Sequence, residues 1–439
     1  MRDRKKTELL CPASSLEVLK CAVRYGADAV YIGGESFGLR AKAKNFSMEE
    51  MAEGIAFAHE NGVRVHVTAN ILAHNYDLPG AEEYFRELKK IGPDALIVAD
   101  PGMYSICREI WPEAEIHIST QANNTNYATY NFWWKMGAKR VVSARELSLR
   151  EIAQIREKIP DEMEIESFVH GAMCISYSGR CLLSNYFTGR DANHGACTHP
   201  CRWKYAVVEE SRPGEYLPVY ENERGTYIFN SRDLCMIEHV PELVEAGIDS
   251  WKIEGRMKTA LYVATVARTY RRAIDDYFES PEKYNENLPW YREQIAKCTY
   301  RKFCTGFFFG KPDEDSQIYD NNTYINESVF LAIVQDKAQV MIDGKPRELV
   351  RFEQKNKFSV GDVIEIMKPD GRDIEIKVLD MYHVCDGGNF EKEVTERIDI
   401  CGEECMPAKS CPHAGEMVWA EFSVTPEKGD ILRTGKPME

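Results

Sequence analysis

From Glu8 to about position 278, short apolar, β-branched runs alternate with amphipathic helical stretches, and this alternation restricts the fold more than any other feature. The runs lie near 8–11, 28–32, 63–69 and 95–99, then 115–119, 139–143, 164–169 and 249–254. Between them, apolar residues spaced by three and four predict helices such as 48–60, 81–90 and 149–158. Gly62, Gly92 and Gly137 stand where such helices end. Eight strand–helix units count out a closed parallel (β/α)8 barrel. An open, doubly wound sheet alternates in the same way, but it begins with a glycine-rich phosphate turn where this chain has Cys11-Pro12-Ala13-Ser14. The expected class is therefore α/β, a TIM-like barrel over residues 1–280.

The last strand is separated from the seventh by an insertion at about 171–248, far longer than an ordinary βα loop, and long insertions are usually functional. In a barrel it lies over the C-terminal face, where active sites are built. From about Val329 the pattern changes to short alternating strands with turn signals at Asp343-Gly344, Val360-Gly361-Asp362 and Pro369-Asp370-Gly371. This predicts a small β-barrel or sandwich over 326–439, with 281–325 as a linker.

The first residues are basic but lead directly into the first strand-like run, without an apolar core or a small-residue cleavage site. No stretch reaches the roughly 18 consecutive apolar residues needed to span a bilayer, so no membrane partner is expected. Fourteen cysteines without a secretion signal indicate a reducing compartment, the cytoplasm, with thiols kept for metal or catalysis. Cys21, Cys107 and Cys298, on helix-like segments, read as small buried hydrophobes. The net charge of −15 disfavours a non-specific nucleic-acid coat while permitting a local basic patch.

The insertion carries His170-Gly171-Ala172-Met173-Cys174, then Gly179-Arg180-Cys181, then Cys197-Thr198-His199-Pro200-Cys201. Thiols spaced C-x6-C-x15-C-x3-C on a loop have no core to fill and are open to oxidation, so metal ligation explains them better than packing. Zinc ribbons pair their ligands as C-x2-C knuckles, whereas a [4Fe–4S] cubane takes four thiolates from looser spacings and fits this pattern better. Cys235 competes with Cys201 to be the fourth ligand. A second motif, Cys401, Cys405, Cys411 and His413, is either another metal site or a set of inert thiols in a turn.

The run from Glu166 through His170-Gly171, Cys174 and Gly179-Arg180-Cys181 to Ser184 resembles the signature of peptidase family 32 of unknown catalytic type, the collagenase-like family. Gly33-Gly34, Gly38 to Phe46, Ser119-Thr120-Gln121 and Lys252 to Lys258 extend the resemblance over most of the first 310 residues. The β domain matches the longer members. The resemblance implies either proteolysis or an iron–sulfur protein of hydroxylation, acting on wobble uridine of tRNA, a ribosomal cytidine or a quinone precursor. It also implies prephenate as a required metabolite in the two RNA branches, and the long architecture looks most like the tRNA branch.

A peptidase needs a nucleophile beside a base or a metal that activates water. The chain has no G-x-S-x-G elbow and no H-E-x-x-H helix, and its ten histidines form no protease motif. His170 with Cys174 is the one Cys–His pair to consider. For hydroxylation, arginines at strand ends suit a small diacid through bidentate bonds. The candidate binding residues are Arg40, Asn70, Gln121, Arg145, Arg180, Arg256 and Lys258. Glu166, His170 and Glu254 are the candidate catalytic groups, with both carboxylates expected to face the mouth. Arg190, His194, His199, Arg202, Trp203, Lys204 and Tyr205 interleave charge with aromatic planes, which suits unpaired RNA bases or merely shields the cluster. The leading expectation is prephenate-dependent hydroxylation of tRNA to 5-hydroxyuridine, with a second subunit of the same kind as a possible partner. The alternatives are a peptidase and a non-catalytic iron–sulfur scaffold.

Overall fold

The computed structural model describes residues 7–38, 45–174, 181–190, 192, 196–203, 206–207, 217–218, 230–310, 317–318, 327–385, 397–410 and 413–434. The chain divides into two compact units, the first comprising 1–294 and 300–325 and the second 295–299 and 326–439.

In the first unit all eight expected strands form: β1 (Glu8–Pro12), β2 (Ala29–Gly33), β3 (Arg64–Ala69), β4 (Ala95–Val98), β5 (Ile116–Ile118), β6 (Arg140–Val142), β7 (Glu164–Ala172) and, after β8 (Asp233–Cys235), β9 (Ser250–Ile253). Neighbours pair in parallel from β1 to β7, and β9 closes the ring, with Ser250 opposite both Glu8 and Glu166. The strands are buried on both faces, as parallel strands wrapped by helices must be, which is why they read as continuous apolar runs. Helices α1 (Leu16–Arg24), α2 (Met48–Glu60), α3 (Ala81–Ile91), α4 (Pro101–Ile110), α5 (Tyr127–Lys135) and α6 (Leu149–Arg156) follow the first six strands. Capping boxes at Ser47/Glu50 and Ser148/Glu151 start α2 and α6, and left-handed Gly92 ends α3.

Strand β7 does more than close the barrel. Its first residues pair with β6 and its middle with β9. Its last three, His170 to Ala172, turn to β8, which runs antiparallel with Cys235 opposite His170. Gly171 makes this crossing possible. Its φ is +109°, and a Cβ there would lie 2.5 Å from the carbonyl oxygen of Glu254. A short α7 (Leu183–Thr188) lies in the insertion, and α8 (Val240–Glu245) leads to β9. The long α9 (Ala260–Glu279) follows, with Tyr262 and Tyr270 buried.

Within the expected linker 281–325, the described residues include a helix and a strand. The helix is α10 (Pro281–Ala296), whose Tyr291 donates to Asp276 of α9 at 2.7 Å. Farther on, β10 (Phe303–Cys304) runs parallel to β8. Arg301 pairs with Asp233 at 2.6 Å, and both side chains are buried. Pro289 inside α10 obscures the helical pattern in the sequence.

Among the described residues of the second unit, eight antiparallel strands form: β11 (Phe330–Ile342), β12 (Lys345–Glu353), β13 (Val363–Met367), β14 (Asp373–Val384), β15 (Ile398–Ile400), β16 (Glu403–Pro407), β17 (Met417–Phe422) and β18 (Ile431–Arg433). The order β13-β18-β11-β12-β17-β14 closes on itself through β13–β14, making a small barrel that β16 and β15 extend. Asp343 and Gly344, both at positive φ, form the tight hairpin between β11 and β12. Phe352, Phe358, Ile366 and Val418 are among the residues filling its core.

Candidate functional site

The two ends of the first barrel carry different chemistry. At the N-terminal end, Arg140 opens β6 and reaches Glu8 at 2.5 Å, Glu164 at 2.6 Å and Glu166 at 3.1 Å. Lys252 adds a 2.7 Å bond to Glu166 and lies over the Tyr31 ring. Burial alone would raise the Glu8 carboxyl, but Arg140 outweighs it and holds Glu8 well below the usual carboxylate range. His66 and His117, edge to face at 4.8 Å, are fully buried beside this layer, and burial keeps both imidazoles neutral.

Glu166 therefore does not face the mouth. It is fully buried and satisfied by Arg140 and Lys252, so it anchors the barrel interior instead of offering an acid or base to a substrate. As the third residue of a nine-residue strand it sits well below the rim.

The mouth is built from the opposite strand ends. Arg256, just after β9, is 5% exposed and donates to Thr68 at 3.3 Å and to Asn45 at 3.1 Å. Its guanidinium lies against Gly33 at the end of β2, where a Cβ would come within 2.1 Å of Nη2. Arg145, after β6, stacks its guanidinium 3.9 Å above the Phe168 ring. It donates to the Ala172 carbonyl at 2.9 Å and approaches Glu254 at 3.4 Å, while its buried Nε has no hydrogen-bond partner among the described residues. Glu254 is thus at the rim, bound to an arginine. Asn70 donates to Ser119 at 3.2 Å, and Gln121 lies in the short turn after β5, largely buried. Lys258 Nζ sits over the Tyr262 ring at 5.0 Å. Arg40 and Arg180 lie outside the described residues, as do His194, Lys204 and Tyr205.

His170 is buried among the rings of Tyr262, Tyr270 and Phe303. Burial lowers its pKa to about 3, so it is neutral at physiological pH. The Tyr270 hydroxyl donates to the Val169 carbonyl at 3.0 Å, accepts from the Met236 N–H at 3.0 Å and lies 3.4 Å from His170 Nδ1. Cys235 Sγ also lies 3.9 Å from the same hydroxyl. The buried Nε2 of His170 has no hydrogen-bond partner among the described residues. Tyr270 was not foreseen in the sequence, because a tyrosine inside an apolar helix gives no signal of its own.

None of the five cysteines of the expected centre is in a disulfide among the described residues. Cys174 and Cys197 are exposed, and Cys181, Cys201 and Cys235 are half-buried. Cys235, 3.9 Å from the Tyr270 hydroxyl, has its thiol pushed up by burial to about 12. Cys197 Sγ lies 4.0 Å from His199 Nδ1. Among the described residues no three His, Cys, Asp or Glu side chains are gathered tightly enough to hold a single metal ion. The donor set, five thiols on and beside one excursion, matches in type a cubane, whose thiolates stand farther apart than the ligands of one ion. In the second unit, Cys401 is exposed and Cys405 packs in a small core with Ile400 and Trp419, while Cys411 lies outside the described residues. Cys21, Cys107 and Cys298 are buried as expected.

Residues 14–318 match peptidase family U32, and residues 326–433 match the peptidase family U32 C-terminal domain. The chain is 43% identical over 366 residues to tRNA hydroxylation protein P1 of Bacillus subtilis, covering 83% of this chain and 84% of the relative. It is 40% identical over 408 residues to tRNA hydroxylation protein P of Escherichia coli, covering 83% and 87%. An uncharacterized protease of Methanocaldococcus jannaschii is 43% identical over 305 residues, covering 69% and 73%. No helix among the described residues is long and apolar enough to cross a membrane. With one domain of the family matched across the barrel and the other across the β unit, the chain belongs to peptidase family U32.

Proposed function

We propose that this chain takes part in hydroxylation of tRNA, converting the wobble uridine to 5-hydroxyuridine at the barrel mouth. The observation that carries the reading is the pair of strand-end arginines, buried Arg256 and half-buried Arg145, the latter donating to the Ala172 carbonyl two residues before Cys174, in a chain whose relatives are named for tRNA hydroxylation. Cys174, Cys181 and Cys197, with either Cys201 or Cys235, would hold a [4Fe–4S] cluster. Such a cluster supplies electron transfer when bound. The chain's own residues have separate tasks. Arg256 and Arg145 are held rigidly, one against Gly33 and one on Phe168, so their donors suit a small dicarboxylate such as prephenate. His170 is buried among aromatic rings, with Nε2 lacking a hydrogen-bond partner among the described residues.

Replacing the gene in cells and reading tRNA nucleosides by mass spectrometry tests this. The wild-type chain restores 5-hydroxyuridine and a Cys174→Ser, Cys181→Ser variant does not. Loss of the gene with unchanged hydroxylation, and no paralogue present, refutes the reading.

The Cys197–His199 contact favours a second reading, a peptidase. Both groups are exposed, which leaves them without the desolvated surroundings such a pair normally uses. Peptide cleavage by the purified chain that Cys197→Ser abolishes would establish it.

A further inference from the structure

The cysteine-bearing excursion turns its residues the opposite way from an ordinary surface helix. Helix α7 buries a hydroxyl and exposes the rings of Tyr186 and Phe187. Ser184 is fully buried, bonded to Thr198 by its own Oγ at 3.0 Å and by the Thr198 N–H at 3.0 Å. Thr188 joins the same cluster at 3.1 Å from Thr198, and left-handed Gly189 ends the helix. This hydroxyl staple fixes α7 to the 197–203 segment and leaves Leu182 69%, Tyr186 82%, Phe187 44% and Trp203 45% exposed. The aromatics are contiguous: the Tyr186 and Phe187 rings are 5.2 Å apart, and Phe187 and Trp203 are 6.1 Å apart. A contiguous apolar patch of this kind marks a binding surface, since isolated exposed residues need no partner but a cluster costs hydration on every face.

Charge indicates which partner. Between residues 174 and 205 the sequence has four basic residues, Arg180, Arg190, Arg202 and Lys204, against one acid, Asp191, a local balance of +3 in a chain of −15. A protein partner chosen for hydrophobic contact alone would not require that reversal. Phosphate does, and unpaired bases stack on aromatic faces irrespective of sequence.

We propose that Tyr186, Phe187 and Trp203 form a stacking platform for the unpaired bases of an RNA loop, whose phosphates the net positive charge of the same stretch of sequence, exposed Arg190 included, would meet. The inference rests on the RNA reading above and adds the form of RNA and the residues that receive it. Duplex RNA, whose bases are already stacked, cannot use the platform.

The test uses the full chain and a fluorescein-labelled RNA hairpin with unpaired uridines in its loop, with a blunt duplex of the same stem as control, followed by fluorescence anisotropy. Tyr186→Ala with Phe187→Ala weakens hairpin binding about tenfold or more. Tyr186→Phe binds as the wild type does, and the unfolding midpoint of every variant is unchanged because the side chains are exposed. The proposal is overturned if the double alanine variant binds the hairpin as tightly as wild type, or if the wild type holds the blunt duplex equally well. It is also overturned if the variant keeps RNA binding but loses self-association in sedimentation, since the patch then covers a second copy of this chain. Nucleoside analysis separates the two levels. A wild-type chain that fails to restore 5-hydroxyuridine refutes the functional reading, whereas a double variant normal in both binding and modification refutes the platform alone.

Discussion

The two ends of the (β/α)8 barrel are made from the same eight strands, yet they treat polar groups in opposite ways. At the N-terminal end charges are paired inside: Arg140 is shared by Glu8, Glu164 and Glu166, and Lys252 completes Glu166. At the C-terminal end polar groups are fixed but left available. Arg145 keeps a buried Nε without a hydrogen-bond partner among the described residues, His170 keeps its Nε2 so, and thiols and aromatics stand exposed on the excursion. The contrast teaches that buried charge alone does not locate a site. Charge that is buried and completed is structure, whereas charge that is positioned and incomplete is where a ligand can bind.

The sharpest break in this contrast comes at the base. Arg140→Met leaves three carboxylates without their shared partner and lowers stability by about 3–5 kcal/mol in urea unfolding. A loss below about 1 kcal/mol would mean that the layer is not a structural unit.

Next in size is the mouth. Gly33→Ala forces the Arg256 guanidinium aside, because the new methyl would lie 2.1 Å from Nη2. Stability falls by about 1–3 kcal/mol, and complementation of tRNA hydroxylation falls with it. Stability lost without any change in hydroxylation would remove Arg256 from the site.

A pH series addresses the buried histidines. Folding holds His66 and His117 neutral at pH values where the unfolded chain, titrating near 6.5, binds protons. The unfolded state therefore takes up more protons below about pH 6.5, and stability is lost as the pH falls through that region and continues to be lost toward the lower folded pKa. Each imidazole contributes a slope of at most about 1.4 kcal/mol per pH unit. His66→Asn reduces the slope measured between pH 6.5 and 5, and an unchanged slope would show that His66 is protonated in the folded chain. The smallest effect belongs to the excursion. Tyr186→Ala changes stability by no more than about 0.5 kcal/mol, because its ring is already in water.

Much of the barrel was legible because parallel strands buried on both faces leave continuous apolar runs, and glycine-ended helices mark the intervals between them. The β unit announced itself through Asp343-Gly344, since a two-residue hairpin needs residues tolerant of positive φ. Depth within a strand was not legible. Alternation sends Glu166 inward, but whether it meets substrate or Arg140 depends on register with β6 and β9, which no local pattern encodes. The helix and strand within 281–325 were not legible, because Pro289 interrupts the helical pattern and β10 has only two residues. At the mouth, Arg145 and Arg256 could be chosen as strand-end arginines. Their partners Phe168, Thr68 and Asn45, and the outward face of α7, depend on packing between segments distant in sequence.

The rim thiols carry the chemistry proposed for the barrel mouth. Anaerobic purification of the full chain, followed by iron and acid-labile sulfide analysis, should give about four of each per chain. Serine in place of Cys174 and Cys181 should abolish both while the far-ultraviolet circular dichroism stays that of the folded barrel. Stoichiometric zinc, or wild-type protein that carries no iron under these conditions, would contradict the account.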